Sequence, residues 1–155
     1  MTKKLWIIVL LALAFSPGGY GADKKAEAAA DPVFPAKLEA PAKQLAQRLA
    51  LGLAESLKSG DFAAFDAVQP EAAKRKFTAD TFAKMHTALE RRYGKLVDAG
   101  FFGRLDQGRV MDFLWKFTFE KGDKDKKLRH EILLMIRTGS VNGEAVIAGF
   151  SFSFF

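Results

Sequence analysis

The side chains in this sequence that are best suited to acid–base chemistry are two histidines and a tyrosine. His130 shares strand parity with Ile132 and Leu134. We therefore expect it to project from the concave face of a curled sheet, near the open end of the space that the sheet encloses. A histidine placed there can serve as an acid, a base or a ligand contact. The alternative is a histidine at a strand end, half in water beside a charged loop. Tyr93, at a helix end, is the second candidate, as a hydrogen-bond donor to an oxyanion, although such a tyrosine more commonly keeps its hydroxyl at the rim.

A general base in an apolar cavity also needs a carboxylate or a second histidine, whose pKa is adjusted by burial. Six carboxylates lie near the predicted strands: Asp98, Asp106, Asp112, Glu120, Glu131 and Glu144. Asp112 and Glu131 have the opposite parity to the apolar inward positions, and the other four lie at turns. Since no carboxylate is placed beside His86 or His130, the sequence favours a non-catalytic protein over an enzyme. Two histidines 44 positions apart, without any cysteine, predict no metal site, and no other cofactor is indicated.

Aromatic side chains recur at alternate positions near the C-terminal end of the sequence. Phe113, Trp115, Phe117 and Phe119 share one face of a strand, and Phe150, Phe152 and Phe154 share a face of another. If these rings enclose a cavity, it is an apolar site for a small molecule. The predicted ligand-binding residues are then Phe113, Trp115, Phe117, Ile132, Leu134, Phe150 and Phe152. The same composition also fits a filled core, and both interpretations stay open.

The opposite face of the predicted sheet mixes apolar and charged side chains. It carries Leu114, Leu133, Met135, Ile147 and Phe155 beside Lys116, Thr118, Arg129 and Arg137. A sheet face in contact with water should be mostly polar. The mixture therefore indicates partial cover, either by a second copy in a homodimer, by another protein, or by the N-terminal segment of the same chain.

Leucines four residues apart predict the first long helix. Beginning at Ala42, the stripe consists of Leu45, Leu49, Leu53 and Leu57, with Ala46, Ala50 and Ala54 beside it. Gly60 is expected to end this helix. Asp61 is a suitable N-cap for a short helix that presents Phe62, Phe65 and Val68 to the core, and Pro70 begins the next turn or short helix.

A later helix has the clearest boundaries in the sequence. Thr78 is an N-cap with Asp80 in the first turn, where a negative charge is favoured. The expected buried stripe of this helix is Phe82, Met85, Leu89 and Tyr93. Gly94 follows as a left-handed cap, and His86 lies beside the stripe.

Four apolar segments separated by turn residues predict an antiparallel sheet after the helices. The first, 95–105, contains Gly100 and Gly103, which mark a bulge or a bend. Three more segments follow: the aromatic segment that contains Phe113 and Phe119, the segment 128–137, and the C-terminal segment that contains Phe150. Asn142 and Gly143 form a strong tight-turn signal between the last two. The sequence thus predicts an α+β fold in which N-terminal helices pack in a curled antiparallel sheet of about four strands.

The N-terminal residues resemble a secretory signal. Lys3 and Lys4 form a positive region, residues 5–15 an apolar stretch of 11 residues, and residues 16–19 a small, helix-breaking approach to cleavage near Gly21 or Ala22. Eleven residues are too few for a membrane-spanning helix, which needs about 20. The absence of cysteine removes a site for lipid attachment. We therefore expect a periplasmic or secreted protein with no stable membrane anchor.

Composition and the positions of proline and glycine divide the chain into a signal at 1–22, a flexible tether at 23–41 and one folded domain at 42–155. Three prolines at 32, 35 and 41 oppose a continuous helix in the tether. The formal charge falls from +6 to +4 when Lys3 and Lys4 are removed. Because acidic residues are interleaved with the basic ones, the sequence does not predict nucleic-acid binding.

The order of elements resembles that of the nuclear-transport-factor-two-like, or cystatin-like cone, superfamily, and within it small exported bacterial domains of unknown function. The resemblance is carried by LAESLKSGDFAAFDAV (residues 53–68), by TADTFAKMHTALERRYGKL (residues 78–96) and by three closing strands. It implies a sheet wrapped around helices to enclose a conical pocket, with an outer face that in this superfamily often pairs subunits. The fold hosts both enzymes and passive binding modules. We therefore expect a module that holds a small apolar ligand or a protein partner, with an isomerase- or hydratase-like enzyme using His130 or a buried carboxylate as the alternative.

Overall fold

The computed structural model describes residues 33–123 and 126–154, with side chains described as far as residue 153. A short 3-10 helix (Ala36–Leu38) precedes α1 (Glu39–Ser59), α2 (Ala63–Asp66), α3 (Glu71–Lys74) and α4 (Ala79–Tyr93). Four strands follow: β1 (Lys95–Asp106), β2 (Met111–Asp123), β3 (Lys126–Val141) and β4 (Glu144–Phe154). The α+β class and the order of helices before a four-stranded antiparallel sheet are confirmed. The signal at 1–22, residues 23–32 of the tether and Phe155 lie outside the described residues.

The folded part of the chain begins earlier than residue 42. Phe34 and Leu38 are buried in the core, and the backbone N–H of Phe34 donates to the carbonyl of Gly108 in the turn between β1 and β2. Pro41 lies in the first turn of α1, where its missing N–H would have no intrahelical partner in any case. Residues 33–41, which the sequence assigned to a flexible tether, therefore belong to the fold.

Helix α1 is the central element, in contact with all four strands. Its leucine and alanine stripe is buried as predicted, apart from Leu45, which is half-buried. Gly60 ends it in the left-handed conformation, with φ of 75°, and its N–H bonds to the carbonyl of Ser56. The buried hydroxyl of Ser56 accepts a hydrogen bond from the N–H of Phe65 at 2.9 Å, which ties α2 to α1.

The boundaries of the remaining helices follow the predicted signals closely. The carboxylate of Asp61 accepts from the N–H of Ala63 at the start of α2, and Pro70 precedes α3. The hydroxyl of Thr78 accepts from the N–H of Thr81 at the start of α4, which ends at Gly94. One prediction for α2 is wrong: Val68 is 36% exposed instead of facing the core, because α2 ends at Asp66 and Val68 lies beyond it against α1.

The sheet is an open meander in the order β1-β2-β3-β4, so β1 and β4 are its edges. Between β3 and β4 the chain turns at Asn142 and Gly143, whose φ values of 52° and 80° are those of a type I′ hairpin turn. The inner face, defined here by Phe113, Trp115, Phe117 and their cross-strand neighbours, packs on the helices. The outer face is defined by the alternate residues, with Leu114, Met135 and Leu133 at its centre.

Bulges change the parity of both edge strands. In β1, Val97 and Phe102 are extra residues between paired neighbours, the second beside Gly103. In β4, Gly149 pairs with Arg137 but Ile147 pairs with Thr138, so Ala148 is extra. Thr138 faces the core, and Ile147 packs against the core with it. The prediction that Ile147 lies on the outer face is therefore wrong, because one extra residue moves the preceding part of β4 to the opposite face.

Candidate functional site

The seven predicted ligand-binding residues are all part of the hydrophobic core or pack against it. Phe113, Trp115, Phe117, Ile132, Leu134 and Phe150 are buried, and Phe152 is half-buried. The ring of Phe150 meets the rings of Phe65 and Phe77 edge to face, with centroids 5.6 and 5.4 Å apart. Side chains from α2 and from the segment before α4 thus contact this inner face directly, and its aromatic rings pack in the geometry of a core.

The two candidate acid–base residues lie together at one end of the sheet. Tyr93, at the end of α4, and His130, on β3, have ring centroids 5.4 Å apart with the rings at a steep angle. Tyr93 also lies 6.3 Å from the ring of Phe119, which is the cross-strand neighbour of His130. Within the described part of the chain, His130 makes no hydrogen bond or ion pair, so no carboxylate or hydroxyl orients its ring.

A cleft of about 230 Å³ opens where the C-terminal ends of α1 and α4 meet the start of β1. Its apolar lining comes from Leu57 of α1, Leu89 of α4, Leu96 of β1 and Phe119 of β2. Its polar lining comes from Lys58, Ser59, His86, Glu90 and Lys95, with the glycines at 60 and 94 between them. The cleft is therefore lined by apolar side chains of the core and by side chains of both charges.

His86 forms one wall of this cleft and joins its two helices. Its Nε2 lies 3.1 Å from the carbonyl oxygen of Leu57, and because a carbonyl only accepts, Nε2 carries the proton. The imidazole stacks on Phe82, with centroids 5.8 Å apart and planes 17° apart. The remaining ring nitrogen, Nδ1, has no hydrogen-bond partner among the residues that the structure describes. The sequence placed His86 beside the buried stripe but gave no indication of the Leu57 contact.

Three of the six carboxylates near the sheet, Asp112, Glu120 and Glu131, form ion pairs on its outer face. Glu120 contacts Arg129 at 2.9 Å and Lys127 at 3.2 Å, and the hydrogen bond from Arg129 holds the pKa of the Glu120 carboxyl below its ordinary value. Asp112 is 1% exposed and accepts two hydrogen bonds from Arg137, each of 2.8 Å. That bidentate contact raises the pKa of the Arg137 guanidinium. Asp112 faces outward, as its parity predicted, yet it is buried.

The centre of the outer face is a small apolar surface. Leu114 and Met135 are direct cross-strand neighbours, Leu133 is diagonal to Leu114, and all three are half-buried. Gly103 lies opposite Leu114 on β1, and Ser151 lies opposite Met135 on β4. Lys116 and Glu131, next to this centre, form an ion pair of 3.0 Å with each other.

The described residues were also compared with the requirements of a metal site and of a membrane-spanning helix. Residues 33–123 and 126–154 contain no group of three or more histidine, aspartate or glutamate side chains that could hold a metal ion. None of the helices between residues 33 and 93 is long and apolar enough to cross a membrane.

Comparisons with known proteins found no matching family model, no similar curated protein and no similar solved structure. The functional interpretation therefore depends on the chain's own residues.

Proposed function

We propose that this protein is an exported, non-catalytic binding module that binds a second copy of itself through the outer face of its sheet. In this proposal the fold is a cystatin-like cone similar to the nuclear-transport-factor-two-like superfamily. The observation that carries the proposal is the outer face itself, in which Leu114, Leu133 and Met135 form an apolar centre on a sheet whose other face already packs on the helices. The signal-like residues 1–22 support export.

The charges around the apolar centre favour a copy of the same chain as the partner. Lys116 pairs with Glu131, Arg137 with Asp112, and Glu120 with Arg129 and Lys127, all within one chain. A partner therefore does not need to supply compensating charge at these positions. In a twofold dimer the same surface meets itself, so a surface whose charges are internally paired avoids like-charge contacts.

Glycines on the outer face leave room for a closely approaching partner. Gly100 lies opposite Lys116 and Gly103 opposite Leu114, and a Cβ atom added at either glycine would meet nothing within 4 Å. Among the described residues no contact requires these positions to be glycine, and strand glycines often occur where another backbone approaches closely.

The area of the outer face is close to the area that each partner buries in a stable dimer. Four strands about 4.8 Å apart, each about 36 Å long, give a surface on the order of 700 Å². A specific interface typically buries about 800 Å² on each partner. The outer face alone therefore approaches the required area.

Sedimentation velocity of residues 23–155 across a range of protein concentrations tests the proposal. The parent protein is expected to sediment as a dimer, and Leu114→Glu as a monomer, because an unpaired carboxylate would be buried at the centre of the interface. Leu51→Glu is the matched control, since Leu51 is an exposed leucine on α1, far from that face in the fold. A monomeric parent, or equal dimerisation of the parent and Leu114→Glu, would overturn the proposal.

The alternative is an isomerase- or hydratase-like enzyme, and one observation favours it: the contact between Tyr93 and His130. A general base in such an enzyme needs an orienting partner and a cavity that holds the substrate. Neither ring belongs to the lining of the cleft, and His130 has no hydrogen-bond partner in the described part of the chain. The binding module is therefore the better-supported function.

A further inference from the structure

The cleft between α1, α4 and β1 has the composition of a binding site for a small amphipathic molecule. Its apolar lining consists of Leu57, Leu89, Leu96 and Phe119, which also belong to the hydrophobic core. These side chains are held by packing on both sides of the cleft and form a preformed surface. An enclosed, wholly apolar cavity of about 150 Å³ is large enough to hold benzene. The cleft, at about 230 Å³, has room for one aromatic ring and a short polar arm.

Two cationic side chains at the cleft are unpaired. Lys58, in the last turn of α1, and Lys95, the first residue of β1, form no ion pair or hydrogen bond with any described residue. Several other lysines of the fold do form ion pairs, such as Lys116 with Glu131. Glu90 is the one carboxylate of the lining, so the charged side chains at the cleft carry a net positive charge.

The negative ends of two helices also face the cleft, and donors of the chain compensate both. The ring N–H of His86 donates to the Leu57 carbonyl at the end of α1. The ammonium of Lys121 donates to the carbonyls of Arg91 and Arg92 at the end of α4, at 2.6 and 3.5 Å. A helix end contributes about half a negative charge, less than the full positive charge of either lysine, and the Lys121 ammonium offsets part of it at α4.

From this combination we propose that the cleft binds a small aromatic monocarboxylate, with the ring on Leu89 and Phe119 and the carboxylate between Lys58 and Lys95. Both lysines come from helix or strand ends that the core holds in place, so the cationic edge is positioned before the ligand arrives. The site is separate from the outer face, and its ligand does not depend on dimerisation.

A titration of ¹⁵N-labelled residues 23–155, followed by heteronuclear NMR, tests the proposal with four probes of similar size. Phenylacetate and 3-phenylpropionate are the carboxylates, phenylacetamide is neutral, and phenethylamine is cationic. We expect the carboxylates to shift the amide signals of Gly60 and Gly94 with a dissociation constant of about 1 mM, as expected for a ligand of ten or eleven heavy atoms. The neutral probe should bind more weakly by about three-fold or more, and the cation more weakly still.

Variants test the roles of the individual charges. Lys95→Gln and Lys58→Gln should each weaken phenylacetate binding about three-fold, and Glu90→Gln should tighten it, because an opposing charge is removed. Lys84→Gln is the matched control, since Lys84 lies on α4 in an exposed pair with Asp80 and does not line the cleft. These four side chains are exposed, so we expect all four variants to fold as the parent does.

Three results would overturn the proposal. The first is no shift at Gly60 or Gly94 with either carboxylate at 10 mM, about ten times the expected dissociation constant. The second is equal or tighter binding of phenethylamine. The third is equal affinity in Lys95→Gln, Lys58→Gln and Lys84→Gln, which would show that the two lysines of the cleft do not recognise the carboxylate.

Discussion

Trp115 shows how one inner-face residue depends on its two neighbouring strands. It pairs with Phe101 on β1 and Leu134 on β3, and it is 2% exposed. The ring of Phe101 meets it edge to face with centroids 5.2 Å apart, and the ammonium of Lys43 lies over the Phe101 ring at 4.6 Å. Lys43 of α1 therefore covers the ring of Phe101. Phe101, on the edge strand β1, in turn covers Trp115.

Replacing Trp115 by Ala should lower the free energy of unfolding by about 3–5 kcal/mol, because a large buried ring is lost and a cavity remains. Phe102→Ala is the control, since Phe102 is an aromatic residue on β1 that is 61% exposed, and it should cost less than about 1 kcal/mol. Urea unfolding monitored by circular dichroism measures both. A loss below about 1 kcal/mol for Trp115→Ala would mean that the inner face is not the core.

The second prediction for individual residues concerns the ion pair of Asp112 and Arg137. Arg137→Met leaves the buried carboxylate of Asp112 without its two hydrogen bonds, so stability should fall by about 1–3 kcal/mol. The double variant Asp112→Leu with Arg137→Met should recover most of that loss, because no buried charge remains.

The exposed pair on the same face provides the control for that prediction. Lys116→Met breaks the contact with Glu131 and should change stability by at most about 1 kcal/mol. All variants are compared by urea unfolding at a protein concentration low enough to dissociate the proposed dimer, since both pairs lie on its interface. If Arg137→Met costs no more than Lys116→Met, the burial of Asp112 has no energetic consequence.

Among the elements, the junction between α4 and β1 is the most constrained. Gly94 has φ of 87° and ψ of −155°, a region that is essentially restricted to glycine. A Cβ atom there would lie 2.0 Å from the carbonyl oxygen of Glu120, because the end of α4 is packed against β2. This close approach places the end of α4 beside the end of the sheet and thereby forms the cleft.

Gly94→Ala should therefore lower the free energy of unfolding by at least about 3 kcal/mol, from backbone strain together with the clash. Gly143→Ala is the matched control: Gly143 also has a positive φ, of 80°, but a Cβ atom there meets nothing within 4 Å. It should cost about 1–2 kcal/mol, from the backbone conformation alone. Equal losses for the two variants in urea unfolding would contradict the close packing of α4 against β2.

Local signals predicted these elements well, and pairing between elements was predicted less well. Thr78, Gly60 and the Asn142–Gly143 turn act on their own neighbours, so their roles could be inferred from the sequence. The parity of β2 and β3 was also predicted, because those two strands pair without a bulge. Ile147 was misplaced because one extra residue in β4 reverses its face, and an alternating pattern does not reveal a bulge.

The candidate sites depend even more on distant parts of the chain. The contact of Tyr93 with His130 needs the end of α4 to meet the beginning of β3, and the cleft needs two helix ends on one side. The burial of Asp112 depends on Arg137 being its cross-strand partner. None of these juxtapositions is encoded by spacing, so the sequence supplied the residue types but not their arrangement.

At the scale of the whole molecule, the first described residues connect the helices to the sheet. The N–H of Phe34 donates to the Gly108 carbonyl, and Glu39 at the start of α1 pairs with Arg104 on β1. Phe34 and Leu38 add their side chains to the core. The segment before α1 thus fastens the turn between β1 and β2 to the beginning of the central helix.

Phe34→Ala should therefore destabilise the whole domain by about 3 kcal/mol, as expected for a phenylalanine that is 4% exposed. Val33→Ala is the control in the adjacent position, where the side chain is 70% exposed, and it should change stability by less than about 0.5 kcal/mol. Urea unfolding should remain a single transition in both variants, since Phe34 belongs to the same core cluster as α1 and β2. If the two variants are equally stable, residues 33–41 are a tether after all, and the folded domain begins at α1.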